Sequence, residues 1–320
     1  MGISIFKKFM KIIISLITFI FLSACNSSDY SVNPIENLTV RNNSILVKPI
    51  ETDNNYSSSE ESHYVVRNNT NHLNKLLIFI GGSYSIPKNY NLVCDYAATI
   101  GLDVISLSYP NDVAAASLAT SSDPNIFDNY RDELCFGNKV SNVVDVNLLN
   151  CITTRATKLL IFLKNAYPSQ NWGQYLTATN TILWNKVIVS GHSQGSGHAC
   201  YLGKTYLVDR VVMFSGPNDY STYFNSPANW LTQIGQTPLN KQYCLLHTQD
   251  EIVPFSNQVE NLRGLGLLTA TQSPTLVDNL ASPYSNNHSL SVNIPAISNH
   301  NSTVGANSKL PEIWKYMFTN

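Results

Sequence analysis

From about residue 63 onward the chain alternates short apolar runs with longer segments in which apolar residues recur every three to four positions. The short runs are Leu76 to Ile80, Val104 to Leu107, Val187 to Val189, Val211 to Phe214 and Tyr243 to Leu246. Each is apolar almost without interruption, which predicts strands covered on both faces rather than on one. Helical spacing runs over Asn91 to Ile100, Thr154 to Tyr167, Gln194 to Leu207 and Asn257 to Leu267. Pro168 closes the second of these, and Pro311 stands near the start of a last helix reaching Met317, where its missing N–H costs little. A final strand is expected near Ser289 to Ile294. Strands alternating with helices predict an α/β fold with a mostly parallel central sheet flanked by helices. Two connections are long for such a fold, Pro110 to Asn150 and Asn218 to Gln242, and they are expected to form cap-like insertions and a pocket wall.

The pattern changes upstream. Residues 26–62 are rich in Ser, Asn, Asp and Glu and can bury little, so they read as a polar tether, with room for a short strand at Ser44 to Val47. Residues 1–25 are a targeting segment. Lys7, Lys8 and Lys11 precede an apolar run, Ile12 to Leu22, too short for a comfortable membrane span. The run ends in Leu22-Ser23-Ala24-Cys25, which resembles the lipobox of bacterial lipoproteins. That resemblance implies a lipid on Cys25 and an exported protein anchored to the cell envelope, periplasmic or surface-exposed. An uncleaved anchor, or a signal peptide with Cys25 incidental, is the alternative. The domain boundaries are therefore 1–25, 26–62 and 63–320.

Composition narrows the partners. The chain has 320 residues, 20 Lys+Arg against 21 Asp+Glu and a net charge of −1. No basic stripe is present to neutralise phosphates, which argues against a nucleic-acid partner. Of the five cysteines after Cys25, Cys135 and Cys151 bracket a loop-like stretch and are a candidate disulfide, whereas Cys200 and Cys244 read as small core residues. No Cys-x-x-Cys pair or His-Glu-x-x-His spacing suggests a metal, and no cofactor motif is seen.

The chemistry centres on Gly191-His192-Ser193-Gln194-Gly195. An apolar strand leads into this run and a helix of small residues follows, the context in which a sharp strand-to-helix turn lifts a serine hydroxyl clear of a sheet. Ser193 is thus the candidate nucleophile. A serine needs a base, and this strand–serine–helix run resembles the α/β-hydrolase elbow, whose order Ser, acid, His leaves His288 and His300 as candidates, with His300 preferred for its polar loop between the last strand and the last helix. Leu246 to Pro254 resembles the segment after a late strand in many α/β-hydrolases, where an Asp stands four residues before the Pro of a Val-Pro pair, and that resemblance makes Asp250 the preferred acid. Asp219 is the runner-up, and Glu251 and Asp278 read as solvated charges. Oxyanion donors are expected from the amides of Gln194 and Ser83, with Gly82 allowing the backbone to approach.

These features together resemble the α/β-hydrolase superfamily over about residues 63 to 320. The segments Leu76 to Pro87, Gly191 to Gly197 and His300 to Thr303 are similar to a branch of secreted bacterial hydrolases. The resemblance implies an eight-stranded sheet and a two-step acyl-enzyme mechanism on a small-molecule or lipid-like ester, with no cofactor. A serine peptidase, or an inactive hydrolase-fold lipoprotein that only binds, are the competing readings.

Overall fold

The computed structural model describes residues 43–57, 59–68 and 72–320. Cys25 and the targeting segment lie outside the described residues, as does the tether up to residue 42.

The strands are β1 (Asn43–Val47), β2 (His63–Arg67), β3 (Leu76–Ile80), β4 (Asp103–Leu107), β5 (Val187–His192), β6 (Arg210–Phe214), β7 (Tyr220–Ser221), β8 (Ser226–Pro227), β9 (Gln242–His247), β10 (Thr275–Leu276) and β11 (Ser289–Val292). Nine of them form one sheet in the order β1-β2-β4-β3-β5-β6-β9-β11-β10. β1 and β2 pair antiparallel with each other, and β2 antiparallel with β4. Every other pairing in the sheet is parallel. The ninth strand is the two-residue β10 at one edge, an addition to the eight expected. β7 and β8 make a separate ribbon.

Both faces of the sheet are covered, which explains the unbroken apolar runs. Alternate residues of each strand enter opposite cores, as the two-residue period of a strand requires. Ile78, Ile80, Val189, Met213 and Leu246 join one core with the helices Ile126–Phe136, Ile152–Ala166, Gln194–Thr205 and Phe255–Leu265. Leu77, Phe79, Ile188, Phe214 and Leu245 join the other with Asn91–Thr99 and Leu310–Thr319.

The sheet starts at Asn43 rather than at residue 63. β1 pairs along its length with β2, in register from Asn43 opposite Arg67 to Val47 opposite His63. Tyr56 is buried under the Arg155 guanidinium, 4.5 Å from its ring, and Arg155 pairs with Glu60 at 2.5 Å. β1 is the short strand expected at Ser44 to Val47, and part of the stretch read as a tether therefore joins the sheet; an edge strand with one solvated face needs few apolar residues.

The Pro110–Asn150 connection holds the helix Ile126–Phe136, which ends at Gly137 with a left-handed φ of 74°. That helix packs into the core instead of covering the sheet's rim, carrying Arg131 and Glu133 inside with it. Glu133 is satisfied by the amides of Val140, Ser141 and Val146. The two insertions meet where Ala119 C=O accepts from the Thr222 amide. Cys135 and Cys151 form no bridge. They and Cys94, Cys200 and Cys244 are free, buried thiols. No helix among the described residues is long and apolar enough to cross a membrane.

Candidate active site

Parallel strands bring their C-terminal ends to one side, and the loops leaving β3, β5, β6 and β9 converge there. The turn after β5 carries Ser193 with φ 56° and ψ −122°, a left-handed conformation that L-residues adopt at a cost of roughly 1–3 kcal/mol and that a surrounding structure must enforce. Two glycines make room for it. A Cβ on Gly191 would collide with the Gly195 carbonyl, and one on Gly195 with the carbonyl of Ile80 in the neighbouring strand. The helix Gln194–Thr205 starts at once, aiming its N-terminal partial charge at the same point.

His300 sits on the short helix Asn299–Ser302, capped by Ser298 Oγ, between β11 and the last helix. Its Nδ1 is 2.7 Å from Asp250 Oδ2. The Asp250 carboxylate is wholly buried and filled with donors: Ile252 and Val253 amides at 2.9 Å each on Oδ1, and Gln258 Nε2 at 2.8 Å on Oδ2. Burial raises its pKa, but the His300 and amide hydrogen bonds outweigh this and hold the group below the usual carboxylate range. His300 Nε2 has no hydrogen-bond partner among the described residues. It belongs to a cleft of about 400 Å³ that Ser193, Gly82, Ser83 and Gln194 also line.

The loop after β3 presses on this cleft. A Cβ on Gly82 would lie 3.1 Å from Ser193 Cβ, a tight contact that the glycine avoids. The Gly82 amide is occupied by Tyr90 Oη at 2.7 Å. The amides of Ser83 and Gln194 have no acceptor among the described residues. Their side chains are joined, Ser83 Oγ donating to Gln194 Oε1 at 2.7 Å, and the same oxygen accepts the Ala115 amide at 2.9 Å.

The remaining candidates lie elsewhere. Asp219 is enclosed by Arg131, with contacts of 2.8 and 2.5 Å, and by Trp230 Nε1 at 2.8 Å. His288 stacks on Tyr243 at the opposite, N-terminal end of β11. Asp278 accepts the Asn293 amide. Glu251, read as a solvated charge, instead takes the His300 amide at 3.1 Å and Ser298 Oγ at 2.7 Å.

His192, which chain position alone had set aside, also supports the loop. Its Nε2 lies 3.0 Å from the His300 carbonyl, which Ser215 Oγ reaches from the end of β6 at 2.6 Å. Burial, with His300 beside it, lowers the His192 pKa from 6.5 to about 3, so the ring is neutral and Nε2–H can donate. Among the described residues no group of three His, Cys, Asp or Glu side chains could hold a metal ion.

The strand order, with its two antiparallel pairings at one edge and a serine elbow after β5, defines an α/β-hydrolase fold. Among solved structures, an esterase from Thermogutta terrifontis is similar at 12% identity and a TM-score of 0.44, over 86% of this chain and 89% of that one. An α/β serine hydrolase homologue from Coxiella burnetii gives 12% and 0.42, over 86% and 95%. No protein-family model and no curated protein matches the chain. At such identities these likenesses bear on neither activity nor substrate, and the fold assignment rests on the strand order itself.

Proposed function

We propose that the protein is a serine hydrolase of carboxylic esters, working through an acyl-enzyme. The observation that carries this reading is the Asp250–His300 hydrogen bond, which leaves His300 Nε2 unpartnered in the cleft that Ser193 lines. Ser193 Oγ attacks the ester carbonyl while His300 Nε2 takes its proton, and the carbonyl π electrons move onto oxygen. The free Ser83 and Gln194 amides receive that oxyanion. Collapse expels the alcohol, which leaves with the proton from His300, and the acyl group stays on Ser193. Water then attacks by the same route in reverse, releasing the acid and restoring the serine. Asp250 keeps the proton of the neutral imidazole on Nδ1 and stabilises the imidazolium.

A peptidase would use the same groups. An inactive binding protein would have no use for a strained serine, an ordered acid–histidine pair and two open amides at one point. The lipobox-like Leu22-Ser23-Ala24-Cys25 supports anchoring at the cell envelope through a lipid on Cys25, and Cys25→Ala is expected to release the protein from membranes or leave an unprocessed precursor.

Labelling by a fluorophosphonate probe, together with hydrolysis of p-nitrophenyl acetate, tests the catalytic reading. Both are expected for the folded protein and both are expected to vanish in Ser193→Ala. Absence of labelling on folded protein, or labelling that survives the substitution, overturns it.

A further inference from the structure

The cleft around Ser193 is small and uncharged. Its volume of about 400 Å³ lies near the low end of the range of roughly 300–1,000 Å³ for small-molecule sites. One wall is Ala114, Ala115 and Ala116, and another is Ile252 and Val253. No Asp, Glu, Lys or Arg side chain lines it. A substrate carboxylate or phosphate entering here would lose its hydration and gain no cation, so the chemistry of the walls selects against anionic esters.

Uncharged polar side chains line the rest of the cleft, among them Ser85, Tyr90, Asn218 and Asn301. Asn218, on the loop after β6, lines the cleft and is 7% exposed. Its Oδ1 is buried and has no hydrogen-bond partner among the described residues. Where a Gly216 Cβ would stand, Ser196 Oγ lies nearest, and Asn218 Oδ1 and the Ser193 carbonyl follow at 3.2 Å each, so this carboxamide sits beside the nucleophile's own residue. The neighbouring Gln194 shows the contrast, since its amide is used at both ends, by Ser83 and Ala115 on Oε1 and by Tyr109 Oη on Nε2. A buried carboxamide oxygen left without a partner is costly, and a bound group that supplies the missing hydrogen bond recovers the cost.

We propose that the substrate is a short, uncharged ester bearing a hydroxyl close to the scissile carbonyl, and that Asn218 is the specificity-determining residue that reads the hydroxyl. A hydroxyl both donates and accepts, so it pairs with either end of the carboxamide. The volume of about 400 Å³, with three alanines along one wall, suits a small acyl group or alcohol. The inference rests on the serine-hydrolase reading above. A site built to bond a substrate hydroxyl discriminates against the analogue that lacks one more strongly than an apolar pocket discriminates by size.

The test uses the full-length protein in detergent with two matched ester pairs. Methyl lactate against methyl propionate places the hydroxyl on the acyl side, and ethylene glycol monoacetate against ethyl acetate places it on the alcohol side. The hydroxylated member of at least one pair is expected to have a kcat/KM about tenfold higher or more. In Asn218→Ala the loss for that substrate is expected to exceed the loss for its plain partner by about the same factor. Asn218→Ser, which keeps a hydrogen-bonding group, is expected to retain part of the preference and replaces the alanine variant if that one does not fold. Equal rates within both pairs in the wild type, or a preference unchanged in the Asn218 variants, overturn the inference while leaving ester hydrolysis standing. Failure to hydrolyse any of the four esters, with no fluorophosphonate labelling, overturns the serine-hydrolase reading and this one with it.

Discussion

Asp250 Oδ2 and His300 Nδ1 lie 2.7 Å apart although 50 residues separate them, and the carboxylate has no access to solvent. If this pair sets the tautomer of the base, Asp250→Asn is expected to lower kcat for p-nitrophenyl acetate by a factor on the order of 10³–10⁴ with little change in KM. Circular dichroism should show the fold intact. A variant within a few-fold of wild type would remove Asp250 from the acid's role.

Asp219 is expected to matter for stability. It neutralises Arg131 where both side chains are fully buried, and Arg131 also donates to the Gln194 carbonyl at 2.8 Å, beneath the elbow. Asp219→Ala strands that guanidinium. A loss of about 3–5 kcal/mol is expected in urea denaturation. An unchanged midpoint would mean that the buried pair contributes nothing.

Ser83 and Gln194 are expected to act as one unit. Each offers a free amide, and their side chains hold the two loops in register. Ser83→Ala and Gln194→Ala should each lower kcat/KM by roughly tenfold, and the double variant should be scarcely worse than either single one. Multiplied losses in the double variant would show that the side-chain link does not position the donors.

Acid is expected to weaken the fold well before the carboxylates titrate. Burial lowers His63 and His192 from 6.5 to about 3 and lowers His198 well below 6.5. The folded chain keeps these rings neutral, while the unfolded chain protonates them below about pH 6.5. The unfolded state then binds more protons, so stability is full above pH 6.5 and falls as pH drops from there toward 3. Each histidine contributes a slope approaching 1.4 kcal/mol per pH unit. Urea midpoints measured between about pH 7.5 and about pH 5 should fall steadily, and a flat profile would mean that these rings are solvated.

Much of the site was legible because its signals are local. The glycines around Ser193, the small residues of the following helix and the Val253-Pro254 pair after Asp250 each report on a few neighbouring positions. Chain order left His288 and His300, and the polar loop before the last helix favoured His300. The groups that escaped notice act over long separations. Arg131 meets Asp219 across 88 residues, and His192 reaches the His300 carbonyl across 108. Glu251 looks solvated because it is exposed, yet its carboxylate holds the turn that carries the base. The helix Ile126–Phe136 has apolar residues at helical spacing and a stopping Gly137, but its interspersed charges resemble a loop until the buried partners of Arg131 and Glu133 are known. β1 matches the short strand expected at Ser44 to Val47, but the polar residues around it concealed that it joins the sheet.

The carbonyl of His300 is gripped by His192 from the end of β5 and by Ser215 from the end of β6. Its loop is therefore moored to the same two strands that fix Ser193, independently of the carboxylate that orients the ring. Thermal breathing of the sheet should then carry His300 and Ser193 as passengers on one raft. Their separation is buffered against motions that would shear a base hung from a surface loop alone.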